Sequence, residues 1–156
     1  MDEAVIKNYR RLLKEDFPNS GALDQPSVFV EAVGEKLINC GNTGNYMQLF
    51  LQVADSRIVD IKYLCSCAPV ANVAVEVLCI LVKGKTLDET MSLTEESFYL
   101  FLGSRDEELC KKVRGLLELL NDGITNYLAL TGAKGLVAKD DDGQVGKLSW
   151  DETLST

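Results

Sequence analysis

Between Tyr46 and Val82 the spacing of apolar residues changes from two to three and four, and that switch limits the available folds more than any other feature. In residues 46–53, Met47, Leu49, Leu51 and Val53 alternate with Tyr46, Gln48, Phe50 and Gln52. This is the period of a strand with one buried face. From Val70 onward, Val70, Val73, Ala74, Val77, Leu78, Leu81 and Val82 recur at helical spacing. The valines favour a strand, but the run is too long for an ordinary one, so the spacing predicts a buried helix. Asn72 and Glu76 interrupt this stretch, and it falls short of the roughly 20 apolar residues a membrane-spanning helix needs.

The flanking segments supply the remaining elements. Residues 2–14 place Ala4, Val5, Tyr9, Leu12 and Leu13 at helical spacings, with Asp2 and Glu3 at the positive end of the dipole. Phe17-Pro18-Asn19-Ser20-Gly21 and Gln25-Pro26-Ser27 then predict a loop. Val28–Leu37 and Arg57–Leu64 read as two further strands, and Ala54-Asp55-Ser56 is a turn-sized link that favours an antiparallel meander. Gly84 ends the buried helix, Thr86 can cap a short helix starting at Leu87, and Thr94-Glu95-Glu96 opens another through Leu102. Asp106 to Leu130 predicts a long helix or a broken pair, with Gly115 and Gly123 as weak points. From residue 131 glycines, Asp140-Asp141-Asp142 and other polar residues leave no core face, which predicts a loose tail after a domain spanning 1–130. Asp140-Asp141-Asp142-Gly143 lacks the alternating ligands and terminal glutamate of a calcium loop, so it reads as a solvated acidic run. The order of a helix, three strands and then helices is α+β: an N-terminal helix and a three-stranded antiparallel sheet covered by C-terminal helices.

Composition excludes several function classes. The chain has 156 residues, which suits one core, and its 46% hydrophobic and 26% charged residues are those of a globular protein. A formal charge of -8 opposes phosphate backbones and anionic membrane surfaces at long range, so neither nucleic acid nor membrane is an expected partner. With no histidine, Ser-His-Asp and Cys-His catalysis and His-ligated zinc are unavailable. Met1-Asp2-Glu3-Ala4 lacks the basic region and apolar core of a secretory signal, so a cytoplasmic location is expected.

What remains is thiol chemistry. The five cysteines Cys40, Cys65, Cys67, Cys79 and Cys110 form an odd set in a chain without export features, which argues for reduced thiols. Cys40 follows the first strand, Cys65 and Cys67 follow the third, and Cys110 lies near the start of the last helix. Element ends of this kind can converge at one end of a sheet-and-helix sandwich, where helix amino termini favour thiolates. Cys79, mid-helix among Leu78, Ile80 and Leu81, reads as packing. Three thiolates suffice for an iron–sulfur cluster or zinc when the fourth position is left to Asn, water or a partner's residue, and an incomplete site favours exchange.

Four segments carry a resemblance to a known family. They are Val82-Lys83-Gly84-Lys85-Thr86-Leu87-Asp88-Glu89, Pro18-Asn19-Ser20-Gly21-Ala22-Leu23, Cys40-Gly41 and Asp60-Ile61-Lys62-Tyr63. Over Val5 to Tyr127 the chain resembles NifU/IscU-type iron–sulfur cluster assembly scaffolds. The resemblance implies a nascent [2Fe–2S] cluster, or zinc, held by Cys40, Cys67 and Cys110, with Cys65 competing for the place of Cys67. An ungapped count back from Val82-Lys83-Gly84-Lys85 puts the family's central cysteine on Ala68, one residue from Cys67. Where the family has an aspartate after the first Cys-Gly, this chain has Asn42; another register puts Gly44-Asn45 there instead. Leu109 stands where IscU-type members often have histidine, and Gly103-Ser104-Arg105-Asp106-Glu107-Glu108 replaces their proline-containing chaperone-recognition stretch. The implied partners are a cysteine desulfurase and apo iron–sulfur proteins. The implied function is a scaffold, with a zinc-holding persulfide acceptor and a metal-free interaction protein as the alternatives.

Overall fold

The computed structural model describes residues 2–33, 46–66 and 69–132. The elements are α1 (Glu3–Lys14), β1 (Val28–Val33), β2 (Tyr46–Ala54), β3 (Arg57–Ser66), α2 (Pro69–Val82), α3 (Leu87–Met91), α4 (Glu95–Leu102) and α5 (Glu107–Thr131). The chain divides into two units at Asn121/Asp122, and the elements from α1 through most of α5 lie in the first. The expected helix, meander and helices are all present. The first strand is described only as far as Val33, and its expected continuation to Leu37 lies outside the described residues. So does the expected tail beyond Gly132.

The sheet is antiparallel with order β1-β2-β3. Asp55 and Ser56 both take positive φ, 54° and 59°, which matches the twist a two-residue hairpin link needs between β2 and β3. The register aligns Val28, Leu51 and Ile61 in one row, Val30, Leu49 and Tyr63 in the next, and Ala32, Met47 and Cys65 in a third. These rows share a face, and Met47, Leu49, Leu51, Ile61 and Tyr63 are fully buried on it. A register shift at Gln52/Val53 pairs Val53 with Ile58. The extra residue, Val59, turns outward while Ile58 returns to the core.

The helix α2 covers this face by packing on β3, and it also packs against α1 and α4. Ten of its residues are buried, from Val70 to Val82, which accounts for a sequence that is apolar nearly all round. The exposed edge of β3 is closed by two short segments. Tyr63 N–H donates to Asn19 O at 3.2 Å and Gly21 N–H to Tyr63 O at 2.8 Å; further along, Gly84 N–H donates to Ile58 O at 2.7 Å and Ile58 N–H to Lys85 O at 2.9 Å. Backbone groups that would otherwise invite another chain are thereby paired. Of the two forms expected for the last region, the structure has the single long helix: α5 runs through Gly115 and Gly123. Burial of Leu109, Val113, Leu116 and Leu120 along one face offsets the poor propensity of the glycines.

Candidate functional site

Cys65 is the last inward-facing residue of β3 and is half-buried. Its thiol donates to Asn72 Oδ1 at 3.3 Å, one turn into α2. Behind Asn72 lies a buried polar hub. Glu76, only 1% exposed, accepts from the Tyr63 hydroxyl at 2.8 Å, from Asn19 Nδ2 at 2.8 Å and from Asn19 N–H at 3.2 Å. A carboxylate taken out of water is tolerable here because three donors converge on it. Burial and then the bond to Glu76 hold the Tyr63 hydroxyl far above its ordinary pKa, so it remains a donor. One turn further on, Cys79 is buried, and burial followed by the Glu76 charge pushes its thiol well up. Cys79 is therefore a packed, protonated thiol, as its apolar neighbours predict.

Cys110 occupies a different setting, on the first turn of α5. Asp106 opens that helix: its carboxylate accepts from Leu109 N–H at 3.2 Å and its carbonyl from Cys110 N–H at 2.9 Å. The Cys110 thiol is half-buried and donates to Arg105 O at 3.6 Å. Tyr99 donates to Glu95 Oε1 at 2.7 Å, and Glu95 also receives Arg114 Nε at 3.1 Å and 3.0 Å. Arg105 stacks over the Tyr99 ring, 5.2 Å from its centre, and pairs with Glu96. Burial, then the contacts with Cys110 and Glu95, raises the Tyr99 pKa.

Of the predicted site residues, Cys65 and Cys110 are described, whereas Cys40, Asn42 and Cys67 lie outside the described residues, as does Asn45. Among the described residues Cys65 and Cys110 share no hydrogen-bond partner, and no group of three or more cysteines and carboxylates is placed to hold a metal ion. The sequence reading missed Asn72, Tyr99, Glu95 and Arg114. A spacing of four puts Glu95 and Tyr99 on one face of their helix, but nothing local to the sequence sets that face against Arg114.

The sequence profile of the NifU-like N terminal domain matches residues 15–134. This chain belongs to that family. The fold agrees with a crystal structure of a nitrogen-fixing NifU-like protein (N-terminal) from Brucella abortus, at TM-score 0.56 and 10% identity, covering 81% of this chain and 92% of that one. The chain is also similar to a putative iron–sulfur cluster assembly scaffold protein for the SUF system from Fervidobacterium islandicum AW-1, at TM-score 0.46 and 16% identity over 87% of this chain and 85% of that one. No curated protein matches the sequence. The NifU-like segments of the sequence have structural work in this chain: Asn19 and Tyr63 bind Glu76, and Gly84 and Lys85 close the edge of β3. Among the described residues no helix is long and apolar enough to cross a membrane.

Proposed function

We propose that this NifU-like chain is an iron–sulfur cluster assembly scaffold. It accepts sulfur from a cysteine desulfurase, together with iron, at Cys40, Cys67 and Cys110, and passes the cluster to apo-proteins. The observation that carries the reading is the family match over residues 15–134, a span that includes every cysteine of the chain. The character of the described thiols supports it. Cys110 and Cys65 are half-buried and donate to weak neutral acceptors, a backbone carbonyl and an amide, from which a soft metal can take them. Cys79, buried and protonated, stays outside the site.

The cluster is cargo here, so ligation that is loose at one position suits the task. Asn42, the neutral residue where the family has aspartate, leaves the fourth position to water or to a partner. Metal and sulfide analysis after anaerobic purification tests the reading. Iron with acid-labile sulfide in equal amounts is the expected result. Zinc alone would replace the scaffold by a zinc-holding persulfide acceptor, and a metal-free protein after reconstitution would leave an interaction protein. Single Cys→Ala variants separate the ligands: loss of Cys40, Cys67 or Cys110 abolishes uptake, and loss of Cys79 does not. If loss of Cys65 abolishes uptake and loss of Cys67 does not, the central ligand is Cys65.

A further inference from the structure

The helix α1 packs against α2 and α4 with Val5 and Leu12 buried. On its opposite face Lys7, Arg10, Arg11 and Lys14 recur at three and four residues, and all four are exposed. They lie within about 100° of arc and form a stripe about 10 Å long. Each has a like charge three or four residues away, an arrangement that works against the helix. Part of it has a local account: Arg11 pairs with Glu15 at 3.2 Å, and Arg11 and Lys14, in the last turn, face the negative end of the dipole. Lys7 and Arg10 have no such account. Neither side chain makes a hydrogen bond or ion pair among the described residues, and Glu3, one turn before Lys7, is not paired with it. Solubility does not call for them either, since the chain holds 24 acidic residues against 16 basic. Along one border of the stripe run Ile6 and, seven residues on, Leu13, which is 52% exposed.

We propose that this face of α1 docks an acidic helical segment of a partner protein, whose carboxylates meet Lys7, Arg10 and Lys14 while an apolar side chain at its border covers Leu13. The match is one of sign and of pitch: carboxylates three and four apart on a helix repeat along its axis at the spacing of the cations. A duplex nucleic acid does not fit. It carries a charge every ~1.7 Å and overruns a stripe about 10 Å long, to meet a surface that is acidic elsewhere and screened only over about 8 Å. A membrane would need the apolar face of the helix, and that face is buried. A short acidic segment stays within the stripe. The inference involves none of the thiols and does not depend on what they bind.

The probe is a synthetic helical peptide with glutamates three and four apart along one face and a leucine at its border, added to the full chain and followed by the anisotropy of a fluorophore on the peptide. Saturable one-to-one binding that weakens with salt is expected, and none for the same peptide carrying glutamines. Lys7→Gln and Arg10→Gln together should weaken binding on the order of tenfold, through the loss of two exposed charge pairs. Both positions are exposed and glutamine is a good helix former, so folding is not at issue. Leu13→Ala should weaken binding on the order of threefold without changing its salt dependence. Lys83→Gln, which removes an exposed cation elsewhere, should leave it unchanged. Absence of saturable binding would overturn the proposal. A loss in Lys83→Gln as large as in Lys7→Gln alone would do the same, by showing diffuse attraction. Three further results would assign the stripe to another occupant and overturn it too. A duplex oligonucleotide that binds as tightly as the peptide would assign it to nucleic acid. A dimer in sedimentation that the Lys7→Gln and Arg10→Gln pair dissolves would assign it to a second copy. Tighter peptide binding once Asp140, Asp141 and Asp142 are all replaced by asparagine would assign it to the chain's own acidic run.

Discussion

Glu76 shows how a single buried charge can organise a small domain. From α2 it ties together two other segments, the loop after α1 through Asn19 and β3 through Tyr63. Removing the carboxylate by Glu76→Ala orphans three donors at once, each worth roughly 1–3 kcal/mol when buried without a partner. A loss of about 3 kcal/mol or more in urea unfolding is expected, against about 1–2 kcal/mol for Glu76→Gln, which keeps one acceptor. An alanine variant within about 0.5 kcal/mol of the parent would mean that water replaces the carboxylate. In the sequence Glu76 appears only as a break in an apolar run, because its partners lie 57 and 13 residues away. Asp2 gives the pH-dependent counterpart. It caps α1 through Val5 N–H at 3.0 Å and receives the Ser104 hydroxyl, and these bonds, that from Ser104 foremost, hold its carboxyl below the usual value of 3.8. A carboxyl lowered in the folded state adds stability that is complete above pH 3.8 and is lost as pH falls through the folded value. Asp2→Asn keeps a capping side chain, so at neutral pH it should cost less than about 1 kcal/mol. Its unfolding free energy should also fall less steeply than the parent's below about pH 4, as acid titration followed by circular dichroism would show.

Most elements were legible because each carries its own local signal. Thr86 predicts a cap, and the structure contains the full capping box, with Glu89 N–H to Thr86 Oγ1 at 3.1 Å and Thr86 N–H to Glu89 Oε1 at 2.9 Å. Thr94 also precedes a helix, yet its side chain makes no capping bond, so residue type alone marked the position without supplying the interaction. Gly84 was legible as a stop, but its second task was not. At φ +88° it turns the chain so that its own N–H reaches Ile58 O at 2.7 Å and Lys85 O receives Ile58 N–H. No atom lies within 4 Å of an added Cβ there, so Gly84→Ala acts through backbone strain alone. The expected cost is about 1–2 kcal/mol, the left-handed penalty of an L-residue, read as a lower midpoint in urea. The pairing itself joins residues far apart in sequence, and neither periodicity nor turn chemistry encodes such contacts.

For the whole molecule, the change from period two to helical spacing was enough to give the layered α+β arrangement, since a sheet with one apolar face and a helix apolar nearly all round can bury both only against each other. The candidate site was less legible, because a ligand's surroundings depend on the tertiary register that sets α4 beside α5. Cys110 could be placed near a helix start from sequence, but Tyr99 and Glu95 could not be placed beside it. The same layering separates the thiols into two kinds, and that separation can be measured. Cys79 sits between the sheet and the helices at 1% exposure with a thiol whose pKa burial raises, so no side-chain motion exposes it as a thiolate. Cys65 and Cys110 lie at the ends of their elements, half-buried. With a small alkylating reagent under native conditions, site-resolved mass spectrometry should find Cys65 and Cys110 modified on the time scale of an accessible thiol. Cys79 should react only through global opening. For a domain with about 5 kcal/mol of stability that opening is populated at roughly one part in ten thousand, so Cys79 should lag by about four powers of ten and catch up in denaturing urea. Labelling of Cys79 at a rate comparable to Cys110 would show that α2 lifts from the sheet on its own, and the packing of α2 on β3 would then be a local rather than a global contact.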